Sequence, residues 1–358
     1  MSNLSVNTIT DASGGSTASI NGLTPQASNM QPYNRIINGG FQVAQRGTSF
    51  TSGSNDDDTY NLDRWYVLSD GNDIVDITQT TTVPTDAAKN SIGLDVETVD
   101  KKFGIAQIIE NVNCVDAIGG AVTLSFQAKV SATTDLDNVK CAIVAWSGTA
   151  DTVTSDIISA WGVEGTNPTL IASATYENSP ANLNVTTSFA TYSVTATVDT
   201  ASTTNLILFI WSDVTTTTLG DFLYITNVQL EKGSTASPFD YRSIGAELAL
   251  CQRYLPCFNS SGTVSVIGGG YAAATNSVNL TAPFLVQTRV APTGVSVSSA
   301  SHINWASIAN NAATVASFNA ASTTSGTVTL TVTSTSGQGG LAYFNTTSGQ
   351  IQFTGCEI

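Results

Sequence analysis

NRIINGGFQVAQRGTSF, residues 34–50, and DFLYITNVQLEKGSTASPFDYRSIGAELALCQRYL, residues 221–255, are the stretches that decide the fold. In the first, apolar side chains flank an Asn-Gly-Gly turn, which is typical of a chain reversal between strands. In the second, Phe222 to Leu230 supplies a late apolar strand. Together they predict the early and late strands of one β-domain.

Between these stretches, strands of two kinds are predicted. Residues 122–127 and 192–198 alternate apolar and polar side chains, as strands do when one sheet face is buried and the other is wet. Val139 to Trp146 and Leu206 to Trp211 are apolar on both sides, as expected for inner strands of two stacked sheets. Many short strands separated by turn signals indicate a sandwich or jelly roll.

The composition supports packed β-structure and argues against several partners. Of the 358 residues, 41% are hydrophobic and only 11% are charged, against about 25% charged in ordinary soluble domains. The net charge of −15 opposes binding to nucleic acid, and the densest basic spot is the pair Lys101-Lys102. The apolar run at Leu206 is far below the roughly 20 residues of a bilayer helix, so no membrane insertion is expected.

Four segments are predicted along the chain. Residues 1–32 form an N-terminal hairpin and linker, and residues 33–242 form a jelly-roll β-sandwich. Residues 243–257 form a short linking helix that Pro256 ends, and residues 258–358 form a C-terminal β-sandwich-like tip. The protein is therefore predicted to be all-β. The helix stripe Leu248, Cys251 and Leu255 could pack on the jelly roll or around a three-fold axis.

The chain resembles bacteriophage tail-fibre and related virion proteins that contain a jelly-roll, carbohydrate-binding-like module. The resemblance lies in residues 34–50 and 221–255, in the DRWY segment at residues 63–66 and in the ELALCQRY segment at residues 247–254. The resemblance implies a homotrimer whose N-terminal segment docks on other virion proteins and which adheres to host surface polysaccharide or lipopolysaccharide. It implies a place in the virion after assembly in the host cytoplasm. The first ten residues also lack the pattern of a secretory signal. A head-fibre or capsid decoration protein is the alternative, followed by a glycan-cleaving tail spike.

Five charged residues recur in the module that this chain resembles, and ion pairs among them are expected to clasp early strands to late ones. They are Arg46, Arg64, Glu231, Asp240 and Arg242. Modules of this type often hold a structural calcium with acids after the NGGF-like stretch and in the last strand. This chain has Gln42 and Asn227 at those places, so no calcium is expected there.

Sugar binding needs an exposed aromatic ring with hydroxyl-bonding groups nearby. Trp161, which lies among loop residues, is the leading candidate, and Tyr271, His302 and Trp305 are the candidates in the tip. His302 is the single histidine and has no nucleophile elbow beside it. The acids between Asp56 and Asp73 have no specific catalytic or calcium-binding spacing, so neither an enzyme nor a metal or cofactor is predicted. The five cysteines are expected to be reduced thiols.

Overall fold

The computed structural model describes residues 34–84, 88–136 and 138–358. Within these ranges the protein is all-β, as predicted, with one α-helix and two 3-10 helices, Asn111–Asn113 and Ala300–His302. The predicted hairpin at residues 1–32 lies outside the described residues, and the proposed domain boundaries stay predictions. No helix in the described ranges has the length and apolar character needed to cross a membrane.

The first part of the described chain is a jelly-roll β-sandwich. Its strands are β1 (Ser49–Phe50), β2 (Tyr66–Ser69), β3 (Val75–Thr80), β4 (Ser91–Val96), β5 (Phe103–Ile109), β6 (Ala121–Val130), β7 (Val139–Trp146), β8 (Ile158–Ala160), β9 (Thr169–Leu170), β10 (Ala174–Tyr176), β11 (Ala190–Thr197), β12 (Asn205–Ser212) and β13 (Phe222–Lys232). One antiparallel sheet has the order β1-β3-β4-β13-β6-β11 and the other β10-β7-β12-β5-β2, while β8 and β9 form a separate small pair. Apolar side chains of both large sheets meet in the main core.

The two opening stretches meet as predicted. The Asn34 side-chain amide donates to the Val228 carbonyl at 3.0 Å, and the Arg35 backbone N–H donates to the Leu230 carbonyl. A Cβ at Gly39 would lie 2.1 Å from the Val228 carbonyl oxygen. The glycine of the predicted turn is therefore required by close packing on the last strand of the sandwich.

The five-stranded sheet is buried on both faces, but only one face meets the other large sheet, while the second also contacts Ile158 and Leu170 of the small β8–β9 pair. Its second face packs against Trp161, Tyr254 and other side chains from loops and from the helix. The prediction that doubly apolar strands lie between two sheets is therefore correct for one face only. An apolar pattern indicates that a sheet face is covered, but it does not indicate which kind of element covers that face.

A buried ionic cluster fastens the loop over that second face. Asp213 is fully buried and accepts from the Lys102 ammonium at 2.5 Å and from the Lys140 ammonium at 2.6 Å. Lys102 also donates to the backbone carbonyls of Val163 and Thr166, at 2.7 and 2.9 Å. The cluster therefore links strands of the sheet to the segment 161–167.

The helix α1 (Ile244–Gln252) is capped by the Ser243 hydroxyl, which accepts from the Ala246 backbone N–H. It is shorter than the predicted helical segment and ends before Pro256. Leu248 and Cys251 pack against the second face of the five-stranded sheet. Of the two arrangements left open by the sequence, the structure has the stripe packed on the jelly roll within one chain.

The tip is a second β-structure with its own core. Its strands are β14 (Cys257–Asn259), β15 (Ser265–Ala274), β16 (Ser277–Pro283), β17 (Gly294–Val297), β18 (Ile303–Ala306), β19 (Asn310–Ala312), β20 (Val315–Ala321), β21 (Ser325–Thr331), β22 (Gly339–Phe344) and β23 (Gln350–Thr354). A seven-stranded sheet has the order β19-β18-β22-β15-β16-β21-β20, and a three-stranded sheet has the order β14-β23-β17. Phe353 of the small sheet packs with the apolar side of the large one.

After β23 the chain returns to the jelly roll. The Glu357 carboxylate accepts from Arg46 at 2.8 Å and also from Arg64, whose guanidinium is almost fully buried. Arg64 stacks its guanidinium on the Tyr254 ring, 3.7 Å from the centroid. These contacts join the tip to the jelly roll through charged groups that are largely removed from water.

Candidate functional site

An open cleft of about 500 Å³ lies on the outer face of the six-stranded sheet. Its lining comes from β6, β11, β13 and the segment that follows β13, and comprises Pro84, Ser125, Phe126, Gln127, Thr191, Asn227, Ala236, Ser237, Pro238, Phe239 and Tyr241. Every one of these described lining residues is uncharged. The described part of the cleft is therefore neutral, on a protein with a net charge of −15.

One wall of the cleft is formed because the chain folds back over β13 after its end. The Glu231 carboxylate accepts from the Ser237 backbone N–H and hydroxyl, both at 2.7 Å. The Gln229 side-chain oxygen accepts from the Asp240 backbone N–H at 2.8 Å. Two outward side chains of β13 thus hold the segment 237–240 beside the sheet.

The floor of the cleft contains an irregularity in β13. The pairing of β13 with β6 shifts between Thr226 and Gln229, and Asn227 has a φ of 52°, which asparagine tolerates better than most residues. The Asn227 amide donates to the Gln127 side-chain oxygen at 2.7 Å and to the Tyr241 hydroxyl at 3.2 Å. The bulge therefore directs an amide into the cleft that regular alternation would place elsewhere.

Asn227 also offers an unused acceptor. The residue is 6% exposed, and its side-chain oxygen has no hydrogen-bond partner among the described residues. A buried polar atom without a partner costs about 1–3 kcal/mol. Because this oxygen is shielded from solvent, it becomes available to a ligand hydroxyl only if the Asn227 side chain rotates towards the cleft.

The aromatic wall is formed by Phe239 and Tyr241. Their rings pack edge to face with centroids 4.8 Å apart, and the Tyr241 side chain is exposed. Burial raises the pKa of the Tyr241 hydroxyl, which therefore remains a proton donor at neutral pH. An exposed ring next to amide and hydroxyl groups can stack on the apolar face of a sugar while its hydroxyls are hydrogen-bonded.

None of the four predicted sugar-binding residues is among the described lining residues of this cleft. Trp161 is 8% exposed and packs edge to face on Phe209, and Trp305 is fully buried in the tip core. The expectation of an exposed ring is therefore wrong for both tryptophans, because each covers apolar sheet surface. Tyr271 is exposed on β15, and His302 lies near the tip surface with its Nδ1 3.0 Å from the Ser298 hydroxyl.

The five predicted clasp residues form a different set of contacts. Arg46 and Arg64 pair with Glu357, and Arg242 pairs with Glu247 at 3.2 Å and donates to the Ile36 carbonyl. Within the described ranges Glu231 and Asp240 form no ion pair with these arginines; they help to hold the cleft wall instead. The expected ion pairs between early and late strands of the jelly roll are not formed by these residues. Glu357, which pairs with Arg46 and Arg64, follows the strands of the tip, and Arg242 and Glu247 are close neighbours along the chain.

The possible metal ligands and the cysteines of the described residues form no cluster. The described residues contain no group of three or more His, Cys, Asp or Glu side chains that could hold a metal ion. All five cysteines are described, buried and unpaired, consistent with the expected reduced thiols. Burial raises the pKa of Cys114 and of Cys141 to about 12, so these thiols stay protonated at neutral pH.

The acid-rich loop before β2 gives the protein a pH dependence. Burial, followed by the charges of Asp57 and Asp156, raises the pKa of Asp58 from 3.8 to about 7. Because the folded state holds this proton more tightly than the unfolded state, the stability associated with Asp58 is complete below pH 4 and is lost as the pH rises through 7. We expect Asp58→Asn, which suits the φ of 63°, to unfold at higher temperature than the native protein at pH 8.

The expected gain for Asp58→Asn is about 1 kcal/mol after solvent screening of a half-buried group. Urea unfolding at pH 4 and at pH 8 measures it, and the difference between the two proteins should vanish at pH 4. A gain of equal size at both pH values would mean that ionisation of Asp58 is not the cause.

No family model matches this chain, and no curated protein matches it. Among solved structures, it is similar to the enzymatically active domain of tailspike protein 4 of bacteriophage CBA120, with 20% identity, a TM-score of 0.33, and coverage of 56% of this chain and 21% of that chain. It is also similar to the xylan-binding domain CBM22-1 of a Paenibacillus barcinonensis protein, with 13% identity, a TM-score of 0.30, and coverage of 52% of this chain and 94% of that chain. A third similar structure is TmCBM61 in complex with β-1,4-galactotriose, with 12% identity, a TM-score of 0.29, and coverage of 56% of this chain and 99% of that chain. The chain thus spans about a fifth of the tailspike domain. At these low scores, the function has to be inferred from the cleft.

Proposed function

We propose that this protein is a non-catalytic adhesion protein of a phage virion, of the tail-fibre type, and that it binds a glycan of the host surface in the cleft on the six-stranded sheet. The observation that carries the glycan part is the exposed ring of Tyr241 in a cleft that the amide side chains of Gln127 and Asn227 also line. The virion location, the N-terminal attachment and the homotrimer rest on the sequence resemblance alone.

A neutral sugar suits this cleft best. Its described lining residues carry no charge, and the Glu231 carboxylate, which holds the cleft wall, already accepts from the Ser237 backbone N–H and hydroxyl. No catalysis is proposed, because the described lining residues include no carboxylic acid or imidazole that could transfer a proton to a glycosidic oxygen. A glycan-cleaving spike would release reducing ends from the same polysaccharide.

The test uses the full chain on an array of purified bacterial surface polysaccharides, with calorimetry on those that bind. Tyr241→Ala should weaken binding about tenfold or more through loss of the stacking ring. Asn227→Gly, which keeps a residue compatible with positive φ, should weaken it by a similar factor through loss of the amide. Both variants should retain the far-UV spectrum of the native protein.

Two further variants separate this cleft from other aromatic surfaces. Tyr224→Ala removes a tyrosine that stacks on Phe222 outside the described cleft lining, and it should leave binding unchanged. Tyr271→Ala tests the tip residue that the sequence singled out. If Tyr271→Ala abolishes binding while Tyr241→Ala does not, the glycan site lies in the tip and the cleft proposal is wrong.

A further inference from the structure

The formal charges of this chain are strongly segregated. It contains 12 Lys and Arg residues and 27 Asp and Glu residues, yet residues 258–358 hold only Arg289 and Glu357. Both are occupied internally: Arg289 donates to the Cys356 and Glu357 carbonyls, and Glu357 binds Arg46 and Arg64. The whole excess of negative charge therefore precedes residue 258.

The outward side of the seven-stranded sheet carries an apolar surface in this uncharged region. Val266, Tyr271 and Leu341 are each more than half exposed, and they lie on the neighbouring strands β15 and β22. Leu341 is directly opposite Gly269, and Tyr271 is opposite Gly339. We call these five residues the tip face.

The two glycines of the tip face are not explained by packing within the chain. A Cβ at the adjacent Gly268 or Gly270 would lie 2.2 Å from a backbone oxygen of β16, so those glycines are required. A Cβ at Gly269 or Gly339 would meet nothing closer than 3.8 Å, and neither has a positive φ. Glycine inside a strand weakens it and often marks a place where another backbone comes close.

We propose that the tip face is a self-association surface that packs against a second copy of this chain. Copies that carry a charge of −15 each repel one another through the charged part, and the tip is where they can approach without that cost. The exposed apolar side chains supply the attraction, and the two glycines allow the partner to approach the sheet closely. The inference does not depend on the glycan cleft.

A sugar is a weaker candidate for this face. Tyr271 could stack on a pyranose, but the side-chain oxygen of its cross-strand neighbour Asn279 is already engaged. The Asn279 side-chain oxygen accepts from Asn319 and from Thr329, both at 3.1 Å. The tip face therefore presents mainly apolar contacts, which suit a protein surface better than a polyhydroxylated ligand.

Sedimentation of the full chain over a range of concentrations tests the proposal. The native protein should show a multiple of the single-chain mass. Gly269→Thr should weaken association about tenfold or more by blocking close approach, while leaving the unfolding of the dilute protein unchanged or improved, since threonine favours strands. Leu341→Lys should have the same effect, and Val115→Lys, at an equally exposed valine on the jelly roll, should have none.

Three results would overturn the proposal. The first is a native protein that keeps the single-chain mass at every concentration. The second is undiminished association of both Gly269→Thr and Leu341→Lys. The third is a Gly269→Thr variant that associates like the native protein but no longer binds bacterial polysaccharide, which would make the tip face a glycan site.

Discussion

Asp213→Asn should lower the free energy of unfolding by about 3–5 kcal/mol, the range for breaking a buried ion pair by removal of one partner. The Asp213 carboxylate binds two ammonium groups, those of Lys102 and Lys140, and all three side chains are buried. Asparagine keeps the shape of the side chain but leaves both cations without a counter-charge. Urea unfolding followed by tryptophan fluorescence measures the loss.

The chain provides a matched control for Asp213→Asn. Asp70 pairs with Lys101 at 3.3 Å, and both side chains are exposed. Asp70→Asn should therefore change stability by less than about 1 kcal/mol. Amide exchange adds a local readout: in Asp213→Asn the segment 161–167, which the cluster holds in place, should exchange faster than it does in the native protein, whereas strand β6 of the other large sheet should exchange as in the native protein. Equal losses in the two variants would show that burial of the cluster does not determine its contribution.

Glu357→Gln is expected to have the second large effect, a loss of about 3 kcal/mol or more. Glu357 is the ion-pair partner of both Arg46 and Arg64 among the described residues. Without its charge, the almost fully buried Arg64 keeps only neutral contacts, such as the Ile108 carbonyl and the Tyr254 ring. Because these contacts join the tip to the jelly roll, the loss should appear in the unfolding of the whole chain.

The control for Glu357→Gln is Asp116→Asn. Asp116 also pairs with a buried arginine, Arg35, but its own side chain is mostly exposed, and Arg35 additionally donates to the Asn113 carbonyl at 2.6 Å. The expected loss is about 1 kcal/mol. A loss for Asp116→Asn as large as that for Glu357→Gln would contradict the view that Glu357 matters because both sides of its contacts are removed from water.

The candidate cleft could not be found from the sequence. Gln127, Asn227 and Tyr241 are brought together by the pairing of β6 with β13 and by the return of the chain over β13. In the sequence, Asn227 attracted notice only as a departure from an expected calcium ligand. A bulge shifts the side chains of one strand by a residue, and no local pattern in DFLYITNVQL marks where that shift occurs.

The prediction of exposed tryptophans failed for a related reason. Trp161 lies between loop residues, a context that favours exposure, but its segment folds back over an apolar sheet face and is fastened there by Asp213. Trp305 lies on a strand, and the face it occupies is the buried one. The exposure of a side chain depends on which element packs over it, and that element can come from a distant part of the chain.

The all-β class, the two apolar inner strands, the short helix before Pro256 and the meeting of residues 34–50 with the last strand of the jelly roll could all be predicted from the sequence. These features follow from alternation and from turn and helix-stop chemistry, which act between near neighbours or along a single strand. The partner of each buried charge, the cover on the five-stranded sheet and the lining of the cleft became known only from the folded chain. Those depend on contacts between residues separated by as many as 311 positions, as in Arg46 and Glu357, and such contacts leave no mark on local sequence.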